Sequence, residues 1–161
     1  MSHALAIAAK TREDYLHSPV DDLESCFWVA LWSVLFNKDH EELLSTRECA
    51  MRESLARTNK SEAAYYLGSL VPPEQLSNIM QRFRSTLWAW WGKVRDRIGV
   101  WEDEVLVNSP EGAGKEYYLP HFHHFALQGV VDVLEVMAEH WSGEIGWESW
   151  APPAVSRTSE Q

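Results

Sequence analysis

Between Cys26 and Phe36 lie eleven residues that are apolar apart from Ser33, and this run restricts the fold more than any other feature of the chain. It is too short for a membrane span, which needs about twenty apolar residues. Read as a helix, it repeats Leu23, Phe27, Leu31 and Leu35 at every fourth position, with Cys26, Ala30 and Val34 on the adjacent stripe and Trp28 and Trp32 on a further face. A helix that is apolar on nearly every side must be packed on by other elements. The pattern predicts a buried central helix over about 21–37, with Asp21 as its cap and Glu24 at capping-box distance.

The remaining periodicities are also helical. A second helix is expected over about 40–57, with a stripe of Leu43, Leu44, Ala50, Met51 and Leu55 and two surface ion pairs, Glu48 with Arg52 and Glu53 with Arg57. Ser61 offers the cap of a short helix over 62–70, stopped by Pro72 and Pro73. Pro73 suits the first turn of the next helix, in which Leu76, Ile79, Met80, Phe83, Leu87, Trp90, Trp91, Val94 and Ile98 keep a helical period. Gly92 and Gly99 are candidate breaks in it. The segment 108–114 is rich in turn residues. A last helix is expected over about 121–141, with Phe122, Phe125, Val130, Val133, Leu134 and Met137 inward. Residues 151–161 read as a disordered Pro/Ser-rich tail. No strand period or internal repeat stands out, so the expected class is all-α.

Composition bounds what such a bundle can do. The 161 residues carry 14 Lys and Arg against 24 Asp and Glu, a formal net charge of −10. That balance argues against a duplex-DNA or anionic-membrane partner, which calls for a basic face. With 45% hydrophobic residues and nine tryptophans, the chain is far from the composition of a disordered acidic segment. Cys26 and Cys49 make neither a disulfide framework nor a zinc pattern and read as buried thiols of a reducing compartment. The N-terminal segment lacks the build of a secretory signal, so the expected location is intracellular, cytoplasmic or nuclear.

Few motifs bear chemistry. His121, His123 and His124, with His140 further on, are the one metal-like cluster, but helical metal ligands favour a spacing of four. No acid or cysteine stands at a matching offset, so surface or structural histidines are the expected reading. Gly112 to Lys115 has the look of a phosphate loop, yet Ser109 stands where the first glycine belongs and Glu116 where Ser or Thr belongs. Arg95 and Asp96 lack the preceding histidine of a kinase catalytic loop, and Trp101 replaces its asparagine. Asp21 and Asp22 suit a helix cap and one buried acceptor better than an acid–base pair. Trp88, Trp90 and Trp91 read as core or interface.

The stretch Tyr15 to Trp32, which contains His17-Ser-Pro-Val-Asp-Asp-Leu-Glu-Ser25 followed by Cys26, Phe27, Trp28 and Val29, resembles the signature of the fungal-type protein kinase family. In that family such a segment opens the central helix of the C-lobe. Met1, Ser2 and Leu5 are similar to the run that follows the family's activation segment. The resemblance implies a chain that starts near the end of the activation segment and a partial kinase-like domain over 1–150. It also implies a structural role for Asp22, and less so Asp21, in bracing the backbone of the catalytic loop. ATP and Mg are implied only for a complete parent kinase.

The departures from the family are extensive. Phosphoryl transfer by a kinase uses a Gly-rich loop, a strand lysine, a catalytic-loop aspartate and a metal-binding Asp-Phe-Gly, and these 161 residues hold none of them. The leading expectation is therefore a C-lobe part of a fungal-type protein kinase with no catalytic residue, cofactor or metal of its own, whose missing N-lobe or a protein partner covers its open surface. A non-catalytic helical interaction module, or pseudokinase remnant, is the alternative. A small metal-dependent enzyme built on the His121 cluster ranks behind both.

Overall fold

The computed structural model describes residues 17–36, 44–69 and 72–140. Within them lie five α-helices: α1 (Pro19–Leu35), α2 (Thr46–Ala56), α3 (Lys60–Gly68), α4 (Asn78–Val100) and α5 (Lys115–His140). A short 3₁₀ turn, Pro73–Gln75, precedes α4, and a π-helical turn, Trp101–Leu106, continues it. No strand occurs among the described residues. The expected segments 1–16, 40–43, 141 and 151–161 lie outside them.

The architecture is all-α, with α1 at its centre packing against α2, α4 and α5. Its buried stripe is Val20, Glu24, Phe27, Trp28, Leu31 and Leu35. Phe27 is the hub. Its ring stacks on Trp91 at 4.8 Å and meets Trp28 and Trp90 edge-on at 4.9 and 5.8 Å. Aromatic pairs of this kind add about 0.5–1.5 kcal/mol each beyond the area they bury. Met51 of α2, Ala63, Ala64 and Leu67 of α3, and Met80, Leu87 and Val94 of α4 complete this core.

A second, smaller core joins the start of α1 to the far end of the molecule. Val20 meets Trp101, Val105 and Phe125 there. The π-helical turn carries an i→i−5 bond from Val107 N–H to the Glu102 carbonyl at 3.0 Å. Trp101 and Val105 are both buried in this turn, and Trp101 lies edge-on to Phe125 at 5.2 Å.

Several local expectations are corrected. Helix α2 starts at Thr46, where Ser45 caps it and Glu48 closes a capping box. Helix α3 is capped by Asn59, whose side chain accepts from Glu62 N–H, and not by Ser61. Pro73 belongs to the 3₁₀ turn, and Ser77 caps α4. Gly92 and Gly99 do not interrupt α4, which is helical throughout. Helix α5 starts six residues before His121 and runs through Pro120, whose absent N–H leaves the Glu116 carbonyl without its helical donor.

The inward face of α5 also differs from its hydrophobic period. Phe125, Gly129, Asp132 and Val136 are the buried residues, whereas Val130 and Leu134 are 55% and 60% exposed. The reason lies in two residues that a hydrophobic count passes over. At Gly129 the helix backbone approaches Leu23 of α1 so closely that any Cβ would collide with the leucine methyls. Asp132 is drawn inward by Arg97 of α4, with Nε to Oδ2 at 2.6 Å and Nη2 to Oδ1 at 3.1 Å. Together they rotate the apolar residues Leu127, Val130 and Leu134 toward solvent.

Candidate functional site

The N-terminal end of α1 is where sequence reasoning placed its one site residue. Ser18 is the N-cap and Pro19 the first helical residue, an arrangement that costs no backbone hydrogen bond. The Asp21 carboxylate, 5% exposed, accepts from both the Ser18 N–H and the Ser18 hydroxyl at 2.8 Å. Asp21 is thus the capping-box acid and not the cap. Glu24, expected as its partner, lies one turn on, where its Oε1 accepts from the Trp28 indole at 2.9 Å and from Lys60 Nζ at 3.0 Å.

Asp22 sits one residue further around the helix and points to the outside. Its side chain is 70% exposed, and Oδ1 meets His17 Nε2 at 3.0 Å. The residues that follow at helical spacing, Cys26, Val29 and Ser33, are exposed as well. Trp32 beside them is 54% exposed and stacks on Phe36 with ring centres 4.6 Å apart. An open stripe thus runs along the central helix, with a carboxylate at its head and apolar steps behind it. Both thiols are exposed, contrary to expectation, because Cys26 lies on this stripe and Cys49 on the outer face of α2.

Two further buried carboxylates belong to no motif that bears chemistry. Glu48 is 1% exposed and accepts from the backbone and hydroxyl of Ser45 at 3.0 and 2.6 Å, and from the backbone of Ser77 at 3.1 Å and the Ser77 hydroxyl. Burial alone would raise its pKa. The Ser45 and Ser77 donors outweigh that and hold it below its ordinary value. Glu48 therefore does not pair with Arg52, which instead donates from Nε to the Leu35 carbonyl at 2.6 Å. The expected Glu53–Arg57 pair is present at 3.1 Å. Asp132 follows the same logic: burial pushes its pKa up, and Arg97, Gln128 and Lys93 bring it below normal. The Ser45–Glu48 spacing was a visible signal for the first of these sites. Nothing local marks the second.

The remaining candidates stay apart. Among the described residues no three His, Cys, Asp or Glu side chains converge as a metal site. His123, His124 and His140 are exposed on α5, and His121 packs against the Tyr117 ring at 5.2 Å. Gly112 takes a left-handed φ of 75° in the turn before α5, and Lys115 is the first residue of that helix. No family model, curated protein or solved structure matches the chain. The arrangement at Asp22 can accept hydrogen bonds and cover apolar surface. The Ser18 hydroxyl beside it is committed to Asp21.

Proposed function

We propose that the chain is the C-terminal part of a fungal-type protein kinase domain and transfers no phosphate by itself. The observation that carries this reading is the open stripe of α1. The resemblance assigns Asp22 the task of accepting backbone donors from a catalytic loop, and Asp22 is the exposed acid, facing outward at the head of Cys26, Val29 and Ser33. A carboxylate with spare acceptor capacity and an apolar track is what such a loop would cover. The other acid, Asp21, is already satisfied within its own cap.

Parent activity in this reading is ATP-dependent phosphorylation of serine or threonine in proteins. The groups that would hold ATP and Mg in the family have no counterpart in these residues, so no step is assigned to them. The purified chain, assayed with labelled ATP and a mixed protein substrate, is expected to give no transfer above the level of its Asp22→Ala variant. Transfer lost on Asp22→Ala would overturn the reading.

A second reading, a non-catalytic helical module that binds a protein, is favoured by α5. Leu127, Val130 and Leu134 stand on its outer face at 55–68% exposure. Apolar residues clustered this way mark partner surfaces more often than chance exposure does. Light scattering on the eluting protein tests whether that partner is a second copy: a concentration-independent monomer speaks against a self-associating module.

A further inference from the structure

A cleft of about 500 Å³ opens between α3 and α4, and neither reading above uses it. Its walls are two helical rows at spacings of three and four. Helix α3 contributes Ser61, Ala64, Tyr65 and Gly68, followed by Ser69 at its C-cap. Helix α4 contributes Trp88, Trp91 and Arg95. The small residues of α3 let the tryptophans of α4 come close: a Cβ on Gly68 would collide with the Trp88 ring. The inner wall is backed by the core, because Trp91 itself packs against Phe27 at 4.8 Å and Trp28 at 4.9 Å. The outer rim is open, with Tyr65 70% and Trp88 43% exposed.

Charge decides what such a cleft takes. The chain has a net charge of −10, yet among the described residues no carboxylate lines the cleft, and Arg95 is the one charged residue of its lining. Glu62, the nearest acid in sequence on α3, faces Ser54 and Asn59 instead, at 2.9 and 3.0 Å. Flat aromatic walls select a planar ring by stacking, and a guanidinium at one end selects a planar anion by paired hydrogen bonds. The volume lies within the range of small-molecule sites.

We propose that this cleft binds a small planar aromatic carboxylate, its ring between Tyr65 and the two tryptophans and its carboxylate on Arg95. The inference is independent of the kinase reading, and its test does not touch Asp22. Three matched probes, 2-naphthoate, 2-naphthylmethanol and 2-naphthylmethylammonium, are titrated into the full chain and followed by the backbone and indole N–H signals in two-dimensional NMR. The expected result is saturable shifts on α3 and α4, with the carboxylate bound about tenfold more tightly than the alcohol and the ammonium weakest. Arg95→Gln should remove the preference for the carboxylate while leaving ring binding, and Tyr65→Ala should weaken all three probes. Both positions are exposed, so the variants should keep the wild-type dispersion of signals and serve as folded controls. Equal affinities for carboxylate and alcohol, shifts centred on α5, or no saturation at millimolar probe would each overturn the proposal.

Discussion

At neutral pH the Glu48 carboxylate gathers the donors of Ser45 and Ser77, the caps of α2 and α4, so one side chain fixes two helix starts. Glu48→Ala should cost about 3 kcal/mol in chemical denaturation, because it leaves buried donors without an acceptor. Ser77→Ala, which removes one donor, should cost about 1 kcal/mol. The same residue governs acid stability. Its folded pKa is depressed, as is that of Asp132, so the folded state binds fewer protons than the unfolded state at low pH. The stabilisation is complete above the ordinary values of 4.5 and 3.8 and is lost as pH falls through the lower folded values. Thermal melts from pH 7 to 3 should show Tm falling below about pH 4.5, with a shallower fall in Glu48→Gln. A steeper fall in that variant would contradict the assignment. The capping box at Ser45 was legible from spacing alone. Its second partner was not, since Ser77 lies 29 residues further along the chain and reaches Glu48 only through the tertiary fold, which no local pattern encodes.

Among the elements, α5 shows where hydrophobic periodicity stops being a guide. Its register is set by Gly129 against Leu23 and by Asp132 on Arg97, neither of which adds to an apolar count. Gly129→Val should therefore lift α5 off α1 and cost about 2 kcal/mol or more, despite valine's better helix propensity. The ion pair makes a sharper test. Asp132→Ala should cost about 3 kcal/mol, because Arg97 is left partly buried without its partner. The double variant Arg97→Met with Asp132→Leu should recover most of that loss, since a matched apolar pair avoids the desolvation penalty. A double variant as unstable as the single one would mean that the pair itself, and not its disruption, sets the stability. Helix α1 lies at the other extreme: its near-continuous apolar run made its central place readable from sequence. Its open stripe was not, because Cys26 and Val29 look no different in sequence from Ala30 and Val34, which pack against the core.

Across the molecule, the described residues form two cores around α1, and the Asp22 stripe and the outer face of α5 are exposed among them. The aromatic richness is divided accordingly. Trp28, Trp90 and Trp91 pack around Phe27, while Trp32 and Trp88 face outward. The all-helical class was legible in the spacing of the apolar residues, whereas the candidate site rests on eighteen residues of resemblance from Tyr15 to Trp32. What the sequence withheld was which of two adjacent aspartates would turn outward, a matter of about 100° of helical rotation fixed by the Ser18 cap. We propose that the stripe headed by Asp22 belongs under a catalytic loop encoded upstream in the same frame. Reading the 5′ end of the transcript tests this most directly. The expected result is an in-frame extension that encodes a His-Arg-Asp catalytic loop and an Asp-Phe-Gly motif; a stop codon immediately upstream of Met1 would contradict the proposal.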